Sequence, residues 1–239
     1  HAVAEEDGGL YFREVWIMRE QYLTQLKKLH EAMLEMGELC QQAIGLAIRA
    51  LGECNDALIA QEQETDSEID KLEREIESLC LQLLLKQQPV ASDLRDISAA
   101  LKMISDMERI GDQASDIAEL AVYLKDLPVH YKLHLEQMAA EAIKMVNRSI
   151  DAFVRRDLTL AGEVIAYDDV VDQYFVQIKD EVIALISKDN TMGAYCIDLL
   201  MVAKYLERIA DHATNIAEWV EYSILGRRPK DGVLPQSEL

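Results

Sequence analysis

Acidic side chains recur at steps of four residues in two similar stretches of this chain, MERIGDQASDIAEL at residues 107–120 and LERIADHATNIAEW at residues 206–219. The recurring carboxylate or carboxamide positions are Glu108, Asp112 and Asp116 in the first stretch, and Glu207, Asp211 and Asn215 in the second. Four residues along an α-helix advance about 6 Å and turn about 40° past a full circle, so such side chains project from nearly one face. Like charges at this spacing repel one another, and more strongly when they are partly buried.

Each of these ladders is preceded by a shorter one on what we predict to be the neighbouring helix. The shorter ladders are Asp66 with Asp70, and Asp168 with Asp172. They repeat at an offset of 102 residues, whereas the longer ladders repeat at an offset of 99, which implies a three-residue deletion near the turn between the fifth and sixth helices. A repeat of this length indicates a duplicated domain rather than a solenoid unit.

Facing carboxylates offer oxygen ligands that suit hard cations such as Mg²⁺, Mn²⁺, iron or Ca²⁺, and adjacent carboxylates can bridge several ions. A single acidic ladder in a chain with 44 acidic residues is usually a solvated helix face. Its repetition at equivalent places in both halves favours a metal-binding interpretation. The alternative is a structural helical bundle with solvated ladders and no bound metal.

The positions of these ladders require long helices, and the composition favours them. The chain has only 10 Gly and 4 Pro, and helix-forming residues dominate. The apolar periodicity predicts six helices, over residues 18–53, 56–88, 92–125, 129–155, 158–188 and 190–225. Because the connections are short, neighbouring helices should be antiparallel. We therefore predict an all-α fold of two tandem three-helix bundles related by internal duplication.

The predicted bundles span residues 18–126 and 127–226. We expect residues 1–17 to be a vector-derived or variable extension and residues 227–239 to be a C-terminal tail. Asn55 and Asp157 are expected to cap the second and fifth helices by accepting backbone N–H groups.

A formal net charge of -20 argues against nucleic acid as a partner, since phosphate binding requires a basic face. It favours cations or basic protein surfaces. Neither a membrane-spanning apolar run nor a signal peptide is evident, so a soluble cytosolic protein is expected. The four cysteines lack zinc-site spacing and are expected to be buried thiols.

An enzyme is the least supported class. A di-iron carboxylate oxidase in a helical bundle needs Glu-x-x-His pairs, and no Glu in this chain is followed by His at the third place. No nucleophile–base pairing or glycine-rich phosphate loop is evident either. We therefore predict that the protein is not an enzyme, with a carboxylate-bridged metalloenzyme as the remaining catalytic alternative.

The runs QQPVASDLRDISAALKMISDMERIGDQASDIAE and KYLERIADHATNIAEWVEYSILG closely resemble the PhoU family of phosphate-uptake and phosphate-signalling regulators. The resemblance extends from about Met18 to about Gly226 and includes the duplicated three-helix layout. The ladders match the repeated E(D)xxxD motif of that family. The resemblance thus implies multinuclear clusters of divalent or trivalent ions (iron, zinc, manganese or magnesium) at these positions.

The resemblance also implies a cytoplasmic adaptor acting at the inner face of the membrane. Such an adaptor would contact the nucleotide-binding subunit of the phosphate-specific (Pst) ABC transporter and a phosphate-sensing histidine kinase, and would damp both uptake and the starvation response. A homodimer is implied as well. The chain departs from the motif at Asn215, where the first repeat has Asp116, so we expect two related but unequal metal sites.

Overall fold

The computed structural model describes residues 4–53, 55–86, 91–124 and 134–227, with side-chain positions from Arg19 onward. Within these ranges the chain forms six α-helices and one short 3-10 turn. The elements are α1 (Ala4–Glu53), α2 (Asp56–Lys86), α3 (Ala91–Ala121), α4 (Leu135–Arg155), α5 (Leu158–Lys188), the 3-10 turn (Asn190–Met192) and α6 (Gly193–Leu225). The predicted all-α fold of two three-helix units is confirmed.

The boundaries depart from the prediction mainly in α1, α3 and α4, the last of which begins at Leu135 rather than at residue 129. Helix α1 begins at Ala4 rather than near Met18, because the helix-forming residues around its two early glycines let a helix propagate once it has started. Helix α3 ends at Ala121 rather than at residue 125. The backbone N–H groups of residues 122–124, which follow it, donate to carbonyls three residues back in a tighter turn. Residues 125–133 and 228–239, which include most of the predicted tail, lie outside the described residues.

Both predicted caps form. The Asn55 side-chain oxygen accepts a hydrogen bond from the Ala57 backbone N–H at 3.0 Å, and that of Asp157 accepts one from Leu160 at 3.0 Å. In the second half one residue, Asp189, separates α5 from the 3-10 turn, whereas in the first half four residues separate α2 from α3. This difference accounts for the three-residue deletion inferred from the repeat.

The two halves are packed around one continuous hydrophobic core. In each half the first two helices pack against each other and against the third, and α3 of the first half packs directly on α6 of the second. Buried side chains such as Met107 and Ile110 in α3, and Leu206 and Ile209 in α6, belong to the same cluster. The helices that carry the acidic ladders, α2 with α3 and α5 with α6, are therefore neighbours within each half.

Three cysteines, Cys40, Cys80 and Cys196, are free and buried, as expected for structural thiols. The fourth, Cys54, lies outside the described residues. No described helix combines the length and the apolar character needed to cross a membrane.

Helices α1 and α4 approach closely at Gly37, which provides the second contact between the halves. A Cβ atom added to Gly37 would lie 2.5 Å from Cδ1 of Ile150 in α4, closer than two carbon atoms can be without displacement. A side chain at this position would therefore require the end of the Ile150 side chain to move.

We predict that Gly37→Ala lowers the free energy of unfolding by about 1 kcal/mol, because the clash outweighs the better helix propensity of alanine. Ile150→Val removes the clashing Cδ1, so the double variant should be more stable than the sum of the single effects predicts. Urea unfolding of the four proteins would measure this coupling.

Gly45→Ala is the matched control, since no atom lies within 4 Å of the Cβ position at Gly45 in the same helix. This substitution should leave stability unchanged or raise it by up to about 1 kcal/mol. Strictly additive effects of Gly37→Ala and Ile150→Val would contradict the proposed clash.

Candidate metal centre

The predicted ladders of the first half come together where α2 packs on α3. Burial raises the pKa of Asp66 to about 6, and the negative charges of Asp70, Asp112 and Asp116 add to the increase. Burial also raises the pKa of Glu108, with further contributions from Asp112 and Asp70. The carboxylates of the two helices thus lie within electrostatic reach of one another at the helix boundary.

Glu73 belongs to the same group but was not predicted from the sequence. Its pKa is raised by burial first and then by Asp70 and other acidic neighbours, including Asp112. The equivalent residue of the second half is Phe175, so a search for repeated acidic positions misses it. Its place seven residues after Asp66, on the same face of α2, is the signal that could have found it. We call Asp66, Asp70, Glu73, Glu108, Asp112 and Asp116 the first acidic cluster.

Glu62 extends the α2 ladder by one turn into the protein interior. It is fully buried, and neither of its carboxyl oxygens accepts a hydrogen bond of normal geometry. Burial raises its pKa to about 8, the charge of Asp66 adds to the rise, and the neighbouring Ser115 opposes it. The second half has Val164 at this place, so repetition between the halves does not indicate Glu62 either.

Gly111 in α3 allows Asp66 to lie close to the α3 backbone. A Cβ atom at Gly111 would be 2.9 Å from Oδ1 of Asp66 and 3.1 Å from Cδ1 of Ile69. The equivalent residue of the second half is Ala210, which is buried. A glycine at this place is therefore a feature of the first half only.

The first acidic cluster fits a cation by its chemistry. Oδ1 of Asp66 is buried and has no hydrogen-bond partner, although it lies among further carboxylates. Hard cations take such oxygen ligands. The side chains are not arranged as a preformed coordination sphere: over the part of the chain that the structure describes, no three His, Cys, Asp or Glu side chains are placed to hold one ion.

The second half brings Asp168 and Asp172 of α5 next to Glu207 and Asp211 of α6, and we call these four residues the second acidic cluster. Burial raises the pKa of Asp168, with contributions from Asp211 and Asp172. The hydroxyl of Thr214 donates a hydrogen bond of 3.2 Å to Oδ1 of Asp168 and stabilises its charged form. The predicted pairing of the second-half ladders is thus present in the structure.

A lysine distinguishes the second acidic cluster from the first. Lys204 forms an ion pair with Glu207, and its Nζ lies 5.5 Å from the centre of the Phe175 ring. Burial and Glu207 raise the pKa of Asp211, whereas the positive charge of Lys204 lowers it. Positions that hold six carboxylates in the first half hold four in the second.

Asn215, which we predicted as a ligand of the second site, uses its amide group across the contact between α3 and α6. Its Nδ2 donates a hydrogen bond of 3.2 Å to Oδ1 of Asp106, an oxygen that also contacts Nδ1 of His212 at 2.8 Å. In the opposite direction, the charge of Asp116 in α3 acts on Tyr205 in α6. The hydrogen bond and the charge effect are related by the repeat, because Asp106 corresponds to Tyr205 and Asp116 to Asn215.

Comparison with known proteins finds two copies of one domain in this chain. Residues 33–121 and 135–220 match the family profile described as PhoU domain. The phosphate-specific transport system accessory protein PhoU homolog of Pseudomonas aeruginosa is 34% identical over 210 residues, covering 87% of this chain and 86% of that protein. The homolog of the same name from Clostridium acetobutylicum is 34% identical over 213 residues, covering 88% of this chain and 97% of that protein.

A solved structure has the same fold. The crystal structure of PhoU from Pseudomonas aeruginosa superimposes with a TM-score of 0.78 at 32% identity, covering 86% of this chain and 100% of that one. The profile matches include the longer ladder and the shorter ladder of each half.

Glu62→Gln should stabilise the metal-free protein in a pH-dependent way. Because the pKa of Glu62 is about 8 in the folded chain against an ordinary value of 4.5, its contribution to stability is lost as the pH rises from about 4.5 to about 8. The glutamine does not ionise and should escape this loss. We expect its advantage in the free energy of unfolding to be at least about 1 kcal/mol larger at pH 8.5 than at pH 5.5.

Urea unfolding in EDTA at both pH values would measure the effect. Glu64→Gln, at an exposed position two residues away on α2, is the control and should show no such difference. An advantage of Glu62→Gln that does not change with pH would contradict a buried, ionisable Glu62.

Proposed function

The chain belongs to the PhoU family, and we propose that it is a metal-binding regulatory adaptor of phosphate uptake and phosphate-starvation signalling. Its relatives are named accessory proteins of a phosphate-specific transport system, which supports a regulatory rather than a catalytic role in phosphate transport. The single observation on which the metal-binding part rests is the group of facing carboxylates between α2 and α3, where Oδ1 of Asp66 is buried without a partner.

In this proposal each half holds its metal ions, divalent or trivalent, between its second and third helices. The residues that would hold them are Asp66, Asp70, Glu108, Asp112 and Asp116 in the first half, and Asp168, Asp172, Glu207, Asp211 and Asn215 in the second. When bound, iron, zinc, manganese or magnesium supplies positive charge that offsets the repulsion among these carboxylates. Adjacent carboxylates suit a multinuclear cluster because one carboxylate can bridge two ions.

The side chains themselves determine how rigid the ladder-bearing surface is. Charged carboxylates on α2 and α3 repel one another across the helix boundary, and burial makes the repulsion stronger. Neutralising them holds the two helices together and fixes the acidic surface in one arrangement. Gly111 contributes by letting Asp66 lie close to the α3 backbone, where Oδ1 of Asp66 is 2.9 Å from the position that a Cβ atom of residue 111 would take.

We propose that this surface contacts the nucleotide-binding subunit of the Pst ABC transporter and a phosphate-sensing histidine kinase at the cytoplasmic side of the membrane. The formal net charge of -20 supports docking on basic protein surfaces and argues against nucleic acid. In this proposal the protein acts as a homodimer. It lowers both phosphate uptake and the starvation response when phosphate is plentiful.

Metal binding can be tested by elemental analysis of protein purified without chelator. Glu108→Ala/Asp112→Ala should reduce the bound metal per chain by at least about half, because it removes ladder carboxylates of the first half. Glu64→Ala/Glu68→Ala removes the same charge at exposed positions of α2 and should leave the metal content unchanged. Equal metal content in all three proteins would contradict the site and would favour the alternative of a structural bundle without metal.

Partner binding can be tested by capture with immobilised protein. The unaltered protein should retain the transporter's nucleotide-binding subunit and the cytoplasmic part of the kinase, and Glu108→Ala/Asp112→Ala should retain both several-fold less because its acidic surface is altered. The Glu64→Ala/Glu68→Ala protein again serves as the charge control. Capture that is unaffected by the ladder substitutions would place the docking surface elsewhere.

A further inference from the structure

The second acidic cluster contains a positive charge of its own. The Lys204 ammonium group forms an ion pair with Glu207, and the lysine side chain is 42% exposed while that of Glu207 is 18% exposed. The same charge lowers the pKa of Asp211, the next carboxylate of the α6 ladder. Lys204 therefore lies beside two of the four carboxylates that make up this cluster.

The surroundings of Lys204 favour this position. Its Nζ lies 5.5 Å from the centre of the Phe175 ring, within the range where a cation is attracted to an aromatic face. Phe175 belongs to α5, so the lysine contacts both helices that carry the second-half ladders. Ion pair and aromatic contact together hold the ammonium group between α5 and α6.

Neither side chain has an equivalent in the first half. The residue at the place of Lys204 is Ser105, which is exposed, and the residue at the place of Phe175 is Glu73, which adds another negative charge. The first acidic cluster has basic neighbours of another kind: the guanidinium of Arg74, 67% exposed, lies 3.9 Å from Asp70, and the charges of Arg109 and Arg208 lower the pKa of Glu108 and of Asp116. The lysine at the second cluster is thus closer to its carboxylate partner and less exposed than Arg74.

We propose that Lys204 is a built-in counter-ion of the second acidic cluster, so that metal ions fill the first cluster before the second. This inference rests on the proposed metal binding and specifies its order. A cation that enters the second cluster must displace the ammonium group from Glu207 or bind beside it, whereas the first cluster offers more carboxylates and has Ser105 at the place of this lysine. Each half then offsets the repulsion among its carboxylates differently, the first with bound cations and the second partly with its own lysine.

Titration of chelator-stripped protein with Mn²⁺, followed by calorimetry and by the EPR signal of free Mn²⁺, would test the order. The unaltered protein should show a tighter and a weaker class of sites. Glu108→Ala/Asp112→Ala should remove the tighter class, and Glu207→Ala/Asp211→Ala the weaker one. Lys204→Ser, which introduces the residue of the first half, should tighten the weaker class about tenfold because a nearby positive charge is removed.

Two matched variants separate the local charge from other effects. Lys204→Arg keeps the positive charge and should leave the weaker class within about threefold of the unaltered protein. Lys188→Ser removes a lysine at the far end of α5, about 20 Å along the helix from Phe175, and should change neither class. The proposal would be overturned if Lys204→Ser left the Mn²⁺ affinity of the weaker class unchanged, or if Lys188→Ser increased that affinity equally.

Thermal melting in EDTA tests the counter-ion without any metal. Lys204→Ser should lower Tm by a few degrees relative to Lys204→Arg, and Ser105→Lys should raise Tm because it supplies the first cluster with the charge that the second already has. A Ser105→Lys protein that melts no higher than Ser105→Gln would count against the counter-ion role. If the unaltered protein bound no Mn²⁺, the proposed function and the filling order would both fall, and these Tm values would decide the counter-ion role separately.

Discussion

The structure depends on how negative charge is accommodated between packed helices. The ladders place carboxylates on the boundary between α2 and α3 and between α5 and α6, where burial makes the charged forms of Asp66 and Asp168 costly. A helix boundary of this kind is stable only if protons, cations or hydrogen bonds offset the charge. The long helices, the short connections and the close contact at Gly111 bring the carboxylates into this position, and the wide continuous core stabilises the arrangement.

The two halves meet this requirement differently. In the first half the pKa values of Asp66 and Glu62 rise to about 6 and about 8, so protons neutralise part of the charge in the chain itself. In the second half Thr214 donates to Asp168, and Lys204 pairs with Glu207. The first half thus has six carboxylates at places where the second has four, and the second half pairs one of its four with a neighbouring lysine.

The fold and the ladder positions could be predicted from the sequence because both follow from periodicity. Apolar residues at helical spacing define the six helices, and carboxylates four residues apart must share a helix face. Glu62, Glu73 and Lys204 could not be found in the same way, since repetition was the criterion and the opposite half has Val164, Phe175 and Ser105 at these places. The start of α1 was missed because local glycines suggested a break that helix propagation overrides.

The interactions between α3 and α6 involve equivalent positions of the two halves. Asp106 accepts a hydrogen bond from Asn215, and at the equivalent positions the charge of Asp116 raises the pKa of Tyr205. An isologous dimer has this pattern, which indicates descent from a single three-helix unit that paired with its own copy through the α3 face. Once both copies were part of one chain, a substitution in one copy no longer changed the other. Fusion therefore released the two halves from symmetry and allowed them to carry different residues at one place, Ser105 in the first half and Lys204 in the second.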